Sequence, residues 1–400
     1  MRTEARIPFF LIARHVMRGS KWTLALIIFL VSIAFINLVF ITSLFNGIID
    51  NSNQQIINTS TGHVSITPRE GHDFIGDTDA VLAKIKDVDG VKAASAQMIV
   101  SASLKYKNIK GSWRVLAINP SDEKKVTNVS QRMIKGSYLN PDDTDKIIIG
   151  RQIAGGADVE MNAFSFKGAR VGDTVTLSFD NVKRDFKIKG IFYTKFIETD
   201  ERAFITQKAL EQLAPYYDGK ATSIVIRIDK EGKEDSVIST MKSRGIDESF
   251  YTWKDLAGLM KTVTKSFLSI NSLLSFVGLL IAAVTIFIVI YIDISNKRQQ
   301  IGILRAIGIK PYLIRATYVL QTVIYSVSGV LLGTGLFFSI IVPYFRSHPF
   351  QLPIGDAVLV INYADFVIRA EAVILVALLS GLIPAILVTR AKLLDEILGK

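Results

Sequence analysis

The 400-residue chain contains no cysteine, so no disulfide can staple it, and no thiolate is available as a metal ligand or nucleophile. Histidine is almost as scarce. His15, His63, His72 and His348 lie in unrelated segments, and none forms an HExxH or other ligand spacing. His63 and His72 stand near Glu70 and Asp73, but Pro68, Gly71 and Gly76 make that run a polar loop rather than a metal site. No Gly-x-Ser-x-Gly elbow and no GxxxxGK[ST] phosphate loop occur, which excludes a serine-hydrolase nucleophile and ATP hydrolysis by the P-loop route. The acids Asp142, Asp143 and Asp145 sit in a Pro-Asp-Asp turn and read as solvated. No catalytic residue, cofactor or metal is therefore expected. Proline is missing from the whole stretch 253–292, so one long helix can run through it.

What the chain has in quantity is apolar sequence. Runs at 22–45, 267–292, 312–342 and 372–389 are long enough to cross the ~30 Å hydrocarbon core, which needs roughly 20 helical residues. None carries a charge of the kind that marks an ion or proton pathway. Asn37 and Asn271 are the main strongly polar residues at membrane depth and suit interhelical hydrogen bonds. The run 22–45 exceeds the ~7–15 residues of a secretory h-region, and Phe45-Asn46-Gly47 is a poor cleavage site, so an uncleaved anchor is expected. The polar block after it is large enough to bury its own core. The fold expected is an α-helical membrane protein with four transmembrane helices and an inserted α+β extracytoplasmic domain.

Basic residues orient it. Arg2, Arg6, Arg14, Arg18 and Lys21 precede the first span, and Lys297, Arg298, Arg305 and Lys310 follow the second. Arg390, Lys392 and Lys400 follow the fourth, against only Arg346 and Arg369 between the third and fourth. By the positive-inside bias both termini and the loop after span two are cytoplasmic. The +11 net charge is largely spent on this orientation, so membrane lipids, not nucleic acid, are its partner.

The expected organisation follows. Residues 1–21 form a cytoplasmic amphipathic elbow helix and 22–45 the first transmembrane helix. Residues 46–252 form the extracytoplasmic domain, 253–292 a stalk continuous with the second transmembrane helix, and 293–311 a cytoplasmic loop. The third helix is 312–343, an extracytoplasmic loop 344–371, the fourth helix 372–389 and a cytoplasmic tail 390–400. Within the domain, β-branched and aromatic runs predict strands at 63–67, 101–106, 113–119, 174–179, 186–193 and 223–229. Helices are predicted at 79–86, 206–213 and 234–243, with Thr206 and Asp235 as caps. A short polar turn at 180–184 joins two of the strands as a hairpin. Gly329 and Gly333 form a GxxxG that lets two membrane helices approach closely.

The most informative stretch is 296–310. Ile301, Leu304 and Ile307 recur at helical spacing, while Gln300, Arg305 and Lys310 supply polarity. Such an element lies at the membrane surface and offers its apolar stripe to a cytoplasmic protein. Gly308 ends it, and Pro311 opens the next helix at its first turn.

The run Lys297-Arg298-Gln299-Gln300-Ile301-Gly302-Ile303-Leu304-Arg305-Ala306-Ile307-Gly308 resembles the coupling helix of the MacB/LolC/FtsX-like permeases of ABC transporters. The segments 147–151, 171–175 and 186–192 resemble that family's extracytoplasmic core, and 384–398 its C-terminal end. The resemblance covers essentially the whole chain. It implies docking of a cytoplasmic ABC-type ATPase dimer at Gln300, Ile301, Leu304, Arg305, Ile307 and Gly308. It also implies a second permease copy, as homodimer or heterodimer, and an elbow helix at the N-terminus. ATP hydrolysis in the partner would move the extracytoplasmic domains to export or extract a lipoprotein, an amphiphile or a peptide. The alternative is a non-transporting sensor or anchor that regulates an extracytoplasmic enzyme such as a cell-wall hydrolase. Two departures stand out. The family often has Glu where this chain has Gln300, and its carrier-recruiting member has an extended hook where this chain has the short turn 180–184.

Overall fold

The computed structural model describes residues 21–156, 159, 162–256, 258–352 and 355–390. Apart from Lys21 and Arg390, the expected elbow helix and cytoplasmic tail lie outside the described residues. The chain divides into two compact units, one of residues 1–49, 264–350 and 357–400, the other of residues 50–263 and 351–356.

The first unit is helical. Four of the described helices are long and apolar enough to cross a membrane, at Leu24–Thr61, Lys265–Asn296, Pro311–Ser347 and Tyr363–Leu387. Their shared core takes Ile27, Val31, Phe35 and Leu38 from the first span, one side chain per turn, and Ile286, Ile290 and Ile294 from the second. Glycine permits the tightest crossing. A Cβ on Gly329 would lie 2.7 Å from the Val31 side chain, and one on Gly333 would lie 3.0 Å from the Phe35 ring. Both glycines of the third span therefore face the first. Gly381 of the fourth span meets Thr322 of the third in the same way. Thr42 donates to Asn271 Oδ1 at 3.4 Å, an interhelical bond between the first and second spans.

Two helix limits differ from expectation. The first helix continues past residue 45 to Ile56, which is buried with Ile57, Phe196 and Trp253. The fourth begins at Tyr363, nine residues earlier than the apolar run, where Asn362 Oδ1 accepts from the Ala364 N–H as a cap. Of the single helix expected from residue 253, Trp253–Leu256 and Gly258–Asn296 are helical, and the longer stretch passes unbroken through Ser266.

The second unit is an α+β domain on a ten-stranded sheet. Its strands are β1 (Val64–Thr67), β2 (Val91–Tyr106), β3 (Ile109–Ile118), β4 (Met133–Gly136), β5 (Lys146–Gly150), β6 (Thr174–Phe179), β7 (Val182–Phe192), β8 (Arg202–Thr206), β9 (Ser223–Ile228) and β10 (Ser249–Thr252). The order is β10-β1-β9-β2-β3-β8-β5-β7-β4, and β6 pairs with both β2 and β7. Strands β2, β3, β8, β5, β7 and β6 thus close into a ring. Its interior is a hydrophobic core that includes Leu104, Val115, Ile149, Val175, Phe186 and Ile205. The branch β9-β1-β10 carries a second core, Val64, Ile66, Ile224, Ile226 and Met241, covered by helices Thr78–Lys86 and Glu234–Ser243. The long strand β2 contributes to both, so the two lobes share one wall.

Local chemistry explains several elements. The turn between β6 and β7 is only Asp180-Asn181, with φ of 50° and 62°, the mirror-type hairpin turn that matches strand twist. Thr206 Oγ1 accepts from the Ala209 N–H at 3.1 Å and caps the helix Gln207–Leu213. Asp235 is not a cap: Lys233 occupies the N-cap of Glu234–Ser243, and Asp235 lies in the first turn, where its charge suits the helix dipole.

Candidate functional site

The segment between the second and third spans forms the helix Arg298–Ala306. Both of its ends are chemically defined. At the start, Lys297 pairs with Asp293 one turn earlier, Nζ to Oδ1 at 2.8 Å, with both side chains largely shielded. Gln321 of the third span donates to the same carboxylate at 3.3 Å and to the Tyr325 hydroxyl at 2.6 Å. At the end, Gly308 takes φ +93°; its N–H donates to Arg305 O, and the Ile309 N–H donates to Leu304 O. These two bonds form a Schellman stop, which needs the left-handed conformation that glycine adopts without strain. Lys310 is extended and Pro311 begins the third span.

The helix is amphipathic, but its inward side is not the one sequence spacing suggests to be a partner's. Ile301 is 1% exposed and belongs to the core of its own unit with Ile294 and Ile314, and Leu304 and Ile309 pack against that core. Ile301 is therefore part of the seam that seats the helix on its own chain and has no surface left for a partner, while Leu304 packs on that seam and stays half-exposed. The outward side holds Gln299, Gln300, Ile303, Ala306, Ile307 and Gly308. Ile303 is 52% exposed and Ile307 69%. Of the expected site residues, Gln300, Ile307 and Gly308 lie on this face, and Arg305 is half-buried. Ile303 was missed. Ile303 and Ile307 recur four residues apart just as Ile301 and Arg305 do, so helical spacing alone offers both stripes. The buried partners Ile294 and Ile314 decide between them.

Gly329 and Gly333, expected as packing residues, abut the first span as described above. Among the described residues no group of three or more His, Cys, Asp or Glu is placed to hold a metal ion.

A bundle of four apolar helices with an α+β domain inserted after the first and a short amphipathic helix after the second defines a multi-pass membrane protein. Residues 24–244 match the model of the MacB-like periplasmic core domain, and residues 272–393 match that of the FtsX-like permease C-terminal region. The chain belongs to the MacB/FtsX-like family of ABC-transporter permeases. It is 23% identical over 343 residues to the provisionally named hemin transport system permease protein HrtB of Staphylococcus haemolyticus, covering 83% of this chain and 88% of that one. It is 25% identical over 234 residues to the ABC transporter permease YtrF of Bacillus subtilis, covering 53% of this chain and 52% of that one. The periplasmic region of MacB from Actinobacillus actinomycetemcomitans aligns at 15% identity and a TM-score of 0.37, covering 52% of this chain and 96% of that structure.

Proposed function

We propose that this permease couples ATP hydrolysis in a separate ABC-type ATPase to movements of its extracytoplasmic domain, for export or extraction of a lipoprotein, an amphiphile or a peptide. Both termini and the helix Arg298–Ala306 face the cytoplasm in this reading, and two permease copies, identical or related, serve an ATPase dimer. The observation that carries it is the surface helix itself. Its inner side is locked by Ile301 and Leu304, and its outer side presents Gln300, Ile303 and Ile307 to whatever lies beyond the membrane surface. Ile303 on the helix and Ile307 at its C-cap, four residues apart on one side, form the apolar pair that a partner would cover.

Co-purification with a MacB-type ATPase, and a rise in its ATPase rate on mixing, is the direct test. Hydrolysis of ATP by the isolated permease would sink the proposal, as would an ATPase whose rate does not respond to it. Mass spectrometry of material retained by a complex whose ATPase cannot hydrolyse ATP identifies the cargo.

A further inference from the structure

The extracytoplasmic domain holds a cavity of about 360 Å³ on the sheet face opposite the two cores described above, beside a smaller core to which its lining residue Leu116 belongs. Strand alternation builds it. In β1, β9, β2, β3 and β8 the residues that point to the cores are Val64, Ile66, Ile224, Ile226, Met98, Val115 and Ala203. Their immediate neighbours Ser65, Ser223, Gln97, Arg114 and Arg202 project to the other face and line the cavity. Ser60, Thr61, Thr67, Thr222, Glu198 and Leu256 complete the wall, and Ile99, Leu116 and Val225 supply an apolar patch.

The arginines are the unusual feature. Arg114 and Arg202 are register partners on the parallel pair β3–β8, so two cations stand side by side on one face. A single carboxylate lies between them. Arg202 Nη2 approaches Glu198 Oε1 at 2.9 Å, while Arg114 Nη1 reaches the same oxygen only at 3.9 Å. Glu198 is thus taken by Arg202, whose side chain is 8% exposed and whose Nε is buried without a hydrogen-bond partner. Two further acids are near. Burial pushes the Glu201 carboxyl up, with Glu198 adding to the effect and Arg114 opposing it, and burial likewise pushes up Glu123, which Arg202 opposes and whose oxygens accept from Gln97 and Thr127. Neither offers Arg114 a partner at hydrogen-bond distance. The hydroxyls of Ser60 and Thr67 also make no hydrogen bond among the described residues.

We infer that this cavity is a binding site for the carboxylate end of a peptide, with Arg114 clamping the carboxylate and the apolar patch holding the last side chain. A guanidinium fork matches a carboxylate's two oxygens. The hydroxyls suit backbone amides, and the volume, near the lower end of the ~300–1,000 Å³ typical of small-ligand pockets, holds about two or three residues. A free phosphate would leave Ile99, Leu116 and Val225 unused. A fatty acid would fill the apolar patch but leave the hydroxyls of Ser60 and Thr67 without partners. The inference does not depend on transport, since binding is measured without nucleotide.

The test uses the full chain in lipid nanodiscs and isothermal titration calorimetry. The probes are tripeptides of varied last residue as free acids, the same peptides as amides, inorganic phosphate and decanoate. The free acids bind saturably, amidation and Arg114→Gln each weaken binding at least tenfold, and Ile99→Trp, which fills the cavity, abolishes it. Arg114 is exposed enough that its replacement leaves the fold intact. No binding of any free acid overturns the inference. So does equal binding of the amides, or tighter binding of phosphate or decanoate than of every peptide.

Discussion

Changing Ile303 and Ile307 together to Asp tests which side of the surface helix meets the ATPase. Burying a whole isoleucine is worth about 1.5–3 kcal/mol. Ile303 is 52% exposed and Ile307 69%, so only that share of each remains for a partner to cover. The pair then contributes about 2–3.5 kcal/mol, and its loss weakens docking roughly 30- to 300-fold, before the added cost of desolvating two carboxylates. The cost to folding is small, about 0.5 kcal/mol or less per exposed site. Ile301→Asp is the contrasting variant. At 1% exposure it places a charge in the core beside Ile294 and Ile314, and its first effect is on folding. The assay titrates purified ATPase with permease in nanodiscs and reads half-maximal stimulation, with thermal melting as the check on folding. A well-folded Ile303→Asp/Ile307→Asp protein that stimulates at the wild-type concentration refutes this docking face.

The remaining expectations concern stability. Gly333→Leu forces the first and third spans apart at Phe35 and Ser32 and costs about 1–3 kcal/mol, whereas Gly335→Leu, with nothing within 4 Å of its Cβ position, is near neutral; thermal melting in detergent separates them. Asn181→Val places a β-branched residue at φ 62° and lowers the stability of the inserted domain by about 1–2 kcal/mol, while Asn181→Gly is neutral or mildly stabilising, measured by hydrogen exchange in β6 and β7. Burial, and secondarily Arg227, holds the His63 imidazole below its usual value of 6.5. The folded state therefore binds fewer protons than the unfolded one, and His63's contribution is fully present above pH 6.5 and lost as pH falls through the folded value. Melting temperature should fall with acidification below pH 6.5 less steeply in His63→Gln than in wild type. An unchanged slope would exclude His63 as the source.

The elements legible in the sequence were those whose period and punctuation agree. The strand pair on either side of Asp180-Asn181 alternates cleanly and is joined by a turn whose residues tolerate positive φ. The four membrane helices announce themselves by length, and Thr206 by its position before an apolar helical pattern. Other features needed tertiary partners. The first half of β2, Val91-Lys92-Ala93-Ala94-Ser95-Ala96, has little β-propensity, and it is a strand because β9 pairs with it. The start of the fourth span was hidden by Asp365, Arg369 and Glu371. Arg369 is accommodated by donating to Ser275 Oγ at 2.9 Å, a partner far away in sequence. The inward face of the surface helix was ambiguous for the same reason. The apolar pairs Ile301–Leu304 and Ile303–Ile307 both keep helical spacing, and only contacts with Ile294 and Ile314 distinguish them.

The shared wall between the two lobes also sets a timetable for biosynthesis. Strand β2 is made early, yet its register pairs Ala94 with Ile226, and the ring's β3 needs Arg202–Thr206 beside it. The ring's core cannot close until the ribosome has passed Leu213, and the other lobe's core waits for Ile228, with β10 arriving later still. At about 5–20 residues per second, the half of β2 that pairs with β9 waits roughly 6–25 s with apolar side chains uncovered, after the first apolar helix has already been synthesised. The hazard of aggregation therefore falls on this interval. The Lys residues of β2, Lys92 and Lys105, are its only charges, so they are the residues that keep the waiting strand soluble.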